Sequence, residues 1–121
     1  MPADAEFTVQ IFGTKNSQPC RAADRFFKER SIQIHFVDLK QRPMAAGEIR
    51  RFIERYGISA LLDTEGKSYT NAGMKYLKLS DAEILSRAER DPLLFRLPFI
   101  RSNTNKLSVG QDEAAWKAML A

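Results

Sequence analysis

Phe7, Val9 and Ile11 alternate with polar neighbours as far as Gly13, and within a few residues the pattern turns helical at Ser17-Gln18-Pro19-Cys20. This junction constrains the chain more than any other feature. Alternation marks a strand with one buried face, here over 6–13. Gly13-Thr14-Lys15-Asn16 forms a polar loop after it. Ala23, Phe26, Phe27 and Arg30 then fall three and four apart, so a helix is predicted over 17–30. Pro19 stands in its first turn, where the missing N–H costs little. Alternation returns at Ile32, Ile34 and Phe36, giving a second strand over 31–39. A β-α-β unit of this kind predicts a parallel strand pair joined by a right-handed crossover.

The rest of the chain reads as a helical middle followed by a β-β-α ending. Ile49, Phe52, Ile53 and Tyr56 lie at i, i+3, i+4 and i+7, so a helix over 45–56 is predicted, stopped by Gly57. Between 58 and 74 the pattern is weak: Leu61-Leu62 fits a short helical turn and Glu65-Gly66 a turn. Ser80-Asp81-Ala82-Glu83 is a capping box, predicting a helix from Asp81 to about Arg90 that Asp91-Pro92 ends. A strand over 98–102, a turn at Asn103-Thr104-Asn105 and a return strand over 106–109 follow. Ala115, Trp116, Met119 and Leu120 point a last helix, 112–120, inward.

At 121 residues the chain predicts one domain, spanning 1–121, with a single modest core. Its 44% hydrophobic content and eight phenylalanines exclude a disordered chain. No apolar run reaches the roughly 18 residues that span a bilayer. The first six residues carry neither a basic nor an apolar signal region, so a cytoplasmic location is expected. One cysteine excludes an internal disulfide and fits a reducing compartment. Cys20 and His35 are the only soft ligands, too few for zinc, so no metal is expected. The net charge of +4 would attract anions or acidic proteins. Nucleic acid is not an expected partner, because the basic residues are scattered and no recognition motif is present.

The order β-α-β, helical insertion, β-β-α describes a thioredoxin-like α/β fold on a four-stranded mixed sheet. Within it, four stretches resemble the arsenate-reductase-like family, which includes glutaredoxin-dependent arsenate reductases and Spx-type regulators. Ile11-Phe12-Gly13-Thr14-Lys15-Asn16-Ser17 is similar to the family's I-Y-G-x-K-N-C. Arg25–Arg30 with the strand that follows is the second stretch. Leu61-Leu62-Asp63-Thr64-Glu65-Gly66 with Tyr69 resembles L-x-N-x-x-G-x-x-[YW]. Asp91-Pro92-Leu93-Leu94, Pro98-Phe99-Ile100 and Val109-Gly110 resemble the family's ending. The resemblance implies a cytoplasmic thiol-disulfide oxidoreductase, glutaredoxin-like in its chemistry. It departs from the family in three places. Ser17 stands at the nucleophile, Asp63 stands where an arginine follows the Leu-Leu pair, and Leu97 stands where an arginine precedes the proline, with Arg96 one step back.

The chemistry of such a site needs a thiolate, which a helix N-terminus stabilises. A serine hydroxyl there stays protonated near neutral pH and forms no redox-labile bond. Ser17 is either a helix N-cap of the native chain or the replacement of a cysteine or selenocysteine. Cys20, one turn on, is either the resolving thiol of such a pair or a small buried hydrophobe. Ser17 and Cys20 are therefore the catalytic candidates. Lys15, Asn16, Arg96, Pro98 and Arg101 are the substrate-binding candidates, with Pro98 aligned on the cis-proline of thioredoxin folds. His35 on the second strand is the one candidate base. No tightly bound cofactor is expected; glutathione, glutaredoxin or thioredoxin would supply electrons. Two other roles use the same residues: an Spx-like protein-binding regulator without catalysis, and a monothiol redox sensor through Cys20.

Overall fold

The computed structural model describes residues 7–120. Four strands form one sheet: β1 (Thr8–Gly13), β2 (Gln33–Asp38), β3 (Phe99–Ser102) and β4 (Leu107–Val109). Their order is β2-β1-β3-β4. β1 runs parallel to β2 and antiparallel to β3, which is antiparallel to β4, so the sheet is mixed. Among the described residues, five α-helices pack around it besides three short 3-10 turns: α1 (Gln18–Lys28), α2 (Ala46–Tyr56), α3 (Lys67–Asn71), α4 (Asp81–Arg90) and α5 (Glu113–Met119). This is the thioredoxin-like arrangement that the element order predicts, with α2, α3 and α4 as the insertion. The expected first strand begins at Thr8 rather than Glu6, and Glu6 lies outside the described residues.

Each strand alternation sends one set of side chains to each face. Val9, Ile11 and Ile100 pack with Ala23, Phe26 and Phe27 of α1 and with Trp116 and Met119 of α5. Phe12, Val37 and Phe99 pack on the other face with Ile49 and Phe52 of α2 and with the insertion through Leu61, Leu94 and Phe95. Phe52 lies stacked on Phe99, with ring centroids 5.0 Å apart, and meets Phe12 edge-on at 6.3 Å.

Two helix faces differ from their periodicity. Tyr56 completes the apolar spacing of α2 but lies at the sheet margin, 36% exposed, with its hydroxyl donating to the Leu107 carbonyl at 2.9 Å. An amphipathic tyrosine gains more from that bond than from burial of its hydroxyl. Leu120, expected inward, is 39% exposed; it caps α5 one residue past Met119, which is the last residue of the helix to be buried.

The weakly patterned middle is held by backbone pairing. Leu62 bridges Phe95, the Asp63 N–H donates to the Leu94 carbonyl at 2.8 Å, and the Arg96 N–H donates to the Leu61 carbonyl at 2.7 Å. These bonds tie the 61–68 loop to the segment that leads into β3. The capping box of α4 is formed as predicted: Ser80 Oγ accepts from Glu83 N at 3.2 Å, and Glu83 Oε1 accepts from Ser80 N at 3.0 Å.

Phe52 is fully buried between two aromatic partners from neighbouring strands. Phe52→Ala is expected to cost about 3–5 kcal/mol. A urea titration followed by circular dichroism checks this: the midpoint should fall steeply, and an unchanged midpoint would contradict the packing described.

Candidate functional site

β1 ends at Gly13, and α1 begins five residues later with Ser17 in the N-cap position at φ −81° and ψ 126°. The turn between them is closed by the Ser17 N–H donating to the Thr14 carbonyl at 3.2 Å. It is braced by Arg21, whose guanidinium donates to the Asn16 carbonyl at 3.2 Å and reaches the Lys15 carbonyl at 3.5 Å. The first turn of α1 holds no acidic residue, so the positive end of the helix faces the site without a built-in counter-charge.

Ser17 occupies the N-cap position, but its side chain accepts no bond from the helix N–H groups. It stands one turn before the Cys20 thiol, on which its side chain acts as a polar neighbour. The capping reading of this serine therefore holds for backbone position and not for side chain. Cys20 is fully buried. Burial pushes its thiol above the ordinary cysteine range; hydrogen bonding from the Ser17 side chain and the Thr14 backbone works in the opposite direction and does not cancel it.

Gly13 and Pro98 complete the corner. The Leu97-Pro98 bond is cis, and Pro98 is buried beside Gly13. A methyl group placed on Gly13 would overlap the Cys20 sulfur and lie 3.8 Å from Pro98 Cβ. Gly13 is therefore required by close approach rather than by an unusual φ. The Pro98 carbonyl accepts from Gly110 N at 2.9 Å, which ties this segment to the end of β4.

A cleft of about 570 Å³ opens beside Ser17 and Pro19. Its far wall is the 63–68 loop, and its near wall runs along Leu93, Phe95, Arg96 and Leu97, with Gln111 at the rim. Arg96, expected from the sequence, lines it; the stem of Arg96 packs against Gly110, at φ +76°, leaving no room for a side chain there. Lys67 at the start of α3 adds a second cation, and Asp63 and Glu65 add carboxylates. Lys67 went unread because its segment has too little periodicity to show which way a residue faces.

The other candidates are placed elsewhere. Lys15 and Asn16 are exposed on the loop before α1, and neither side chain lines the cleft; their carbonyls serve to hold Arg21. Arg101 does not belong to this site. β3 runs antiparallel to β1, so each step past Pro98 carries the chain away from the Gly13 end, and Arg101 pairs with Gln10. There it donates to Asn105 Oδ1 at 2.7 Å. His35 also pairs with Gln10, from the exposed edge strand β2, about 10 Å along the sheet from Gly13 at ~3.3 Å per residue, and is no base for Ser17. Among the described residues, no cluster of His, Cys, Asp and Glu could hold a metal, and no helix is long and apolar enough to cross a membrane.

The sequence model of the ArsC family matches residues 12–119. The chain belongs to the ArsC family. Comparison with curated protein sequences gives no match. Among solved structures, the chain is similar to the YffB (PA3664) protein at 20% identity and a TM-score of 0.76, covering 94% of this chain and 100% of that one. An arsenate reductase from Vibrio cholerae matches at 16% identity and a TM-score of 0.75, over 93% of this chain and 98% of that one. SACOL0876 from Staphylococcus aureus COL matches at 24% identity and 0.71, over 92% and 97%. At these identities the likeness is one of fold. It places this ArsC-family chain among proteins built on the same sheet.

Two outcomes test the corner. Gly13→Ala is expected to destabilise the protein by about 1–3 kcal/mol through overpacking. Cys20→Ala in the same chain should recover part of that loss, because the overlapping sulfur is gone; urea denaturation of both variants shows whether the two positions couple. The second outcome concerns pH. The folded-state pKa of Cys20 is raised, so the stability due to its buried neutral thiol is full below the unfolded-state value of about 8.5 and is lost as pH rises through the higher folded-state value. The wild type should therefore lose more stability than Cys20→Ala between roughly pH 8 and pH 10; parallel curves would contradict the assignment.

Proposed function

We propose that this chain carries the site of a thiol-disulfide oxidoreductase of the arsenate-reductase-like class, with serine where the attacking sulfur belongs. The observation that carries this reading is the placement of Ser17 at the start of a helix, one turn before a buried thiol that packs against Gly13 beside a cis-proline. A buried thiol with raised pKa is poorly suited to attack a substrate from solvent. It is well placed to attack a disulfide formed one turn away. Those properties favour the resolving role over the monothiol sensor.

In a competent form, a thiolate at position 17 attacks a substrate disulfide and releases one substrate thiolate. Cys20, giving up its proton, then attacks the sulfur at position 17 and releases the second. The resulting 17–20 disulfide takes two electrons from an external thiol, for which glutathione, glutaredoxin or thioredoxin are the candidate donors in a cytoplasmic setting. Lys67 and Arg96 would orient an anionic substrate group, and the backbone beside Pro98 would align it. Arsenate is not the favoured substrate, because Asp63 and Glu65 face the same cleft and repel a compact oxyanion.

With Ser17 in place the chemistry stops before its first step. The chain as it stands is then a binding form of the site, and an Spx-like regulator is the role such a form would serve.

Ser17→Cys is the direct test. The variant should form a 17–20 disulfide under mild oxidant and reduce a small aromatic disulfide in the presence of glutathione, at a rate at least about a hundredfold above the parent chain, on the scale of covalent catalysis. Mass spectrometry and thiol release read both outcomes. A folded variant that forms neither the internal disulfide nor a mixed disulfide with glutathione would overturn the reading.

A further inference from the structure

Arg101, absent from the cleft, lies in a different hollow. On the α2 face of the sheet a groove of about 320 Å³ is lined by Gln10 and Phe12 of β1, Gly47, Arg51 and Phe52 of α2, and Arg101 of β3. A second hollow of about 270 Å³ adjoins it and shares Gln10 and Arg101. The Arg101 Nε atom is buried and makes no hydrogen bond, although Nη2 of the same group donates to Asn105 Oδ1 at 2.7 Å. A buried guanidinium N–H without an acceptor is costly, and native proteins rarely leave one so.

Charge points the same way. Among the described residues, neither Arg51 nor Arg101 has an acidic partner. The one carboxylate on the groove, Glu48, is already engaged: Oε1 accepts from Ala45 N at 2.8 Å and pairs with Arg42 at 3.3 Å. Two guanidinium groups, one from a helix and one from a strand, thus face a common space without counter-charge. Gly47 has nothing within 4 Å of the place its Cβ would take, so that wall is open to a ligand. Phe12 and Phe52, both buried, lie at its base.

We propose that this groove is a second binding site, separate from the Ser17 cleft, for a small molecule bearing a phosphate group. A phosphate monoester carries between one and two negative charges near neutral pH, which two unpaired arginines balance. Its oxygens suit the planar fork of a guanidinium, including the stranded Nε–H of Arg101. Gln10 offers an amide for a further bond, and the open space beside Gly47 leaves room for the organic part. The site lies three residues down β1 from Gly13, and it shares no lining residue with the Ser17 cleft, so it stands whether or not position 17 is competent.

The test is a titration of the whole chain with inorganic phosphate, followed by ¹H–¹⁵N NMR at constant ionic strength with chloride as the control. Saturable shifts are expected at the Gly47 amide, the Gln10 side-chain amide and the Arg101 Nε–H. Arg51→Gln, an exposed change on a helix surface, should weaken binding by roughly five- to tenfold through loss of a charge-assisted bond. Arg101→Lys, which keeps the charge but removes the fork, should do the same. Binding at the Ser17 cleft would instead shift Gly66, Lys67 and Gln111. The proposal is overturned by shifts that never saturate, by shifts confined to the cleft, or by an Arg51→Gln protein that binds phosphate as tightly as the parent.

Discussion

The structure turns on the approach of the Cys20 sulfur to the backbone of Gly13. Cys20 belongs to α1, whose larger side chains pack on one face of the sheet, yet it is buried with the residues of the other face. It does so at the end of β1, where glycine leaves a side-chain volume empty. That one contact sets how close the start of α1 lies to the sheet. The cis-proline before β3 closes the same corner from the neighbouring strand. The end of β1 and the start of α1, joined by one short loop, therefore meet the distant Pro98 segment at the positive end of a helix, and Ser17 stands in that loop's last position.

The corner sets the character of the two polar groups in it. A sulfur in this position is dry, and dryness favours the neutral thiol. A group three residues earlier, only partly buried and at the N-cap, meets the helix end and the cleft together. The same local geometry thus makes one position suited to attack and the other to resolve. Serine at the attacking position keeps the place at the helix start and removes the electron chemistry, because oxygen in a hydroxyl neither ionises near neutral pH nor forms an exchangeable bond to sulfur. Geometry and reactivity come apart at a single atom.

The elements with strong periodicity were legible from the sequence. The alternation of Val9 and Ile11, the 3–4 spacing of Phe26 and Phe27, and the capping box at Ser80 each depend on local preferences that the fold also satisfies. What the sequence concealed was set by tertiary pairing. The 61–68 loop has no period of its own, and its course is dictated by backbone bonds to Leu94 and Arg96. Lys67 joined the site through those bonds, with no local mark. Arg101 was misplaced for a related reason: closeness in sequence to Pro98 suggested closeness to the site, but a strand of about 3.3 Å per residue carries a side chain three positions on out of reach.

The same displacement explains why one protein of this size can hold two charged hollows without confusing them. Arg96 lies before β3 and meets the cleft at the Gly13 end, where Asp63 and Glu65 temper the charge of Lys67. Arg101 lies within β3 and meets the groove under α2, where the only carboxylate is already committed to Arg42 and to the helix start. The cleft is therefore of mixed sign, fitting a ligand with both charges, while the groove is left cationic, fitting an anion. The environments stay separate because Arg96 enters the cleft before β3 begins, while Arg101, within β3, is carried along the sheet to pair with Gln10.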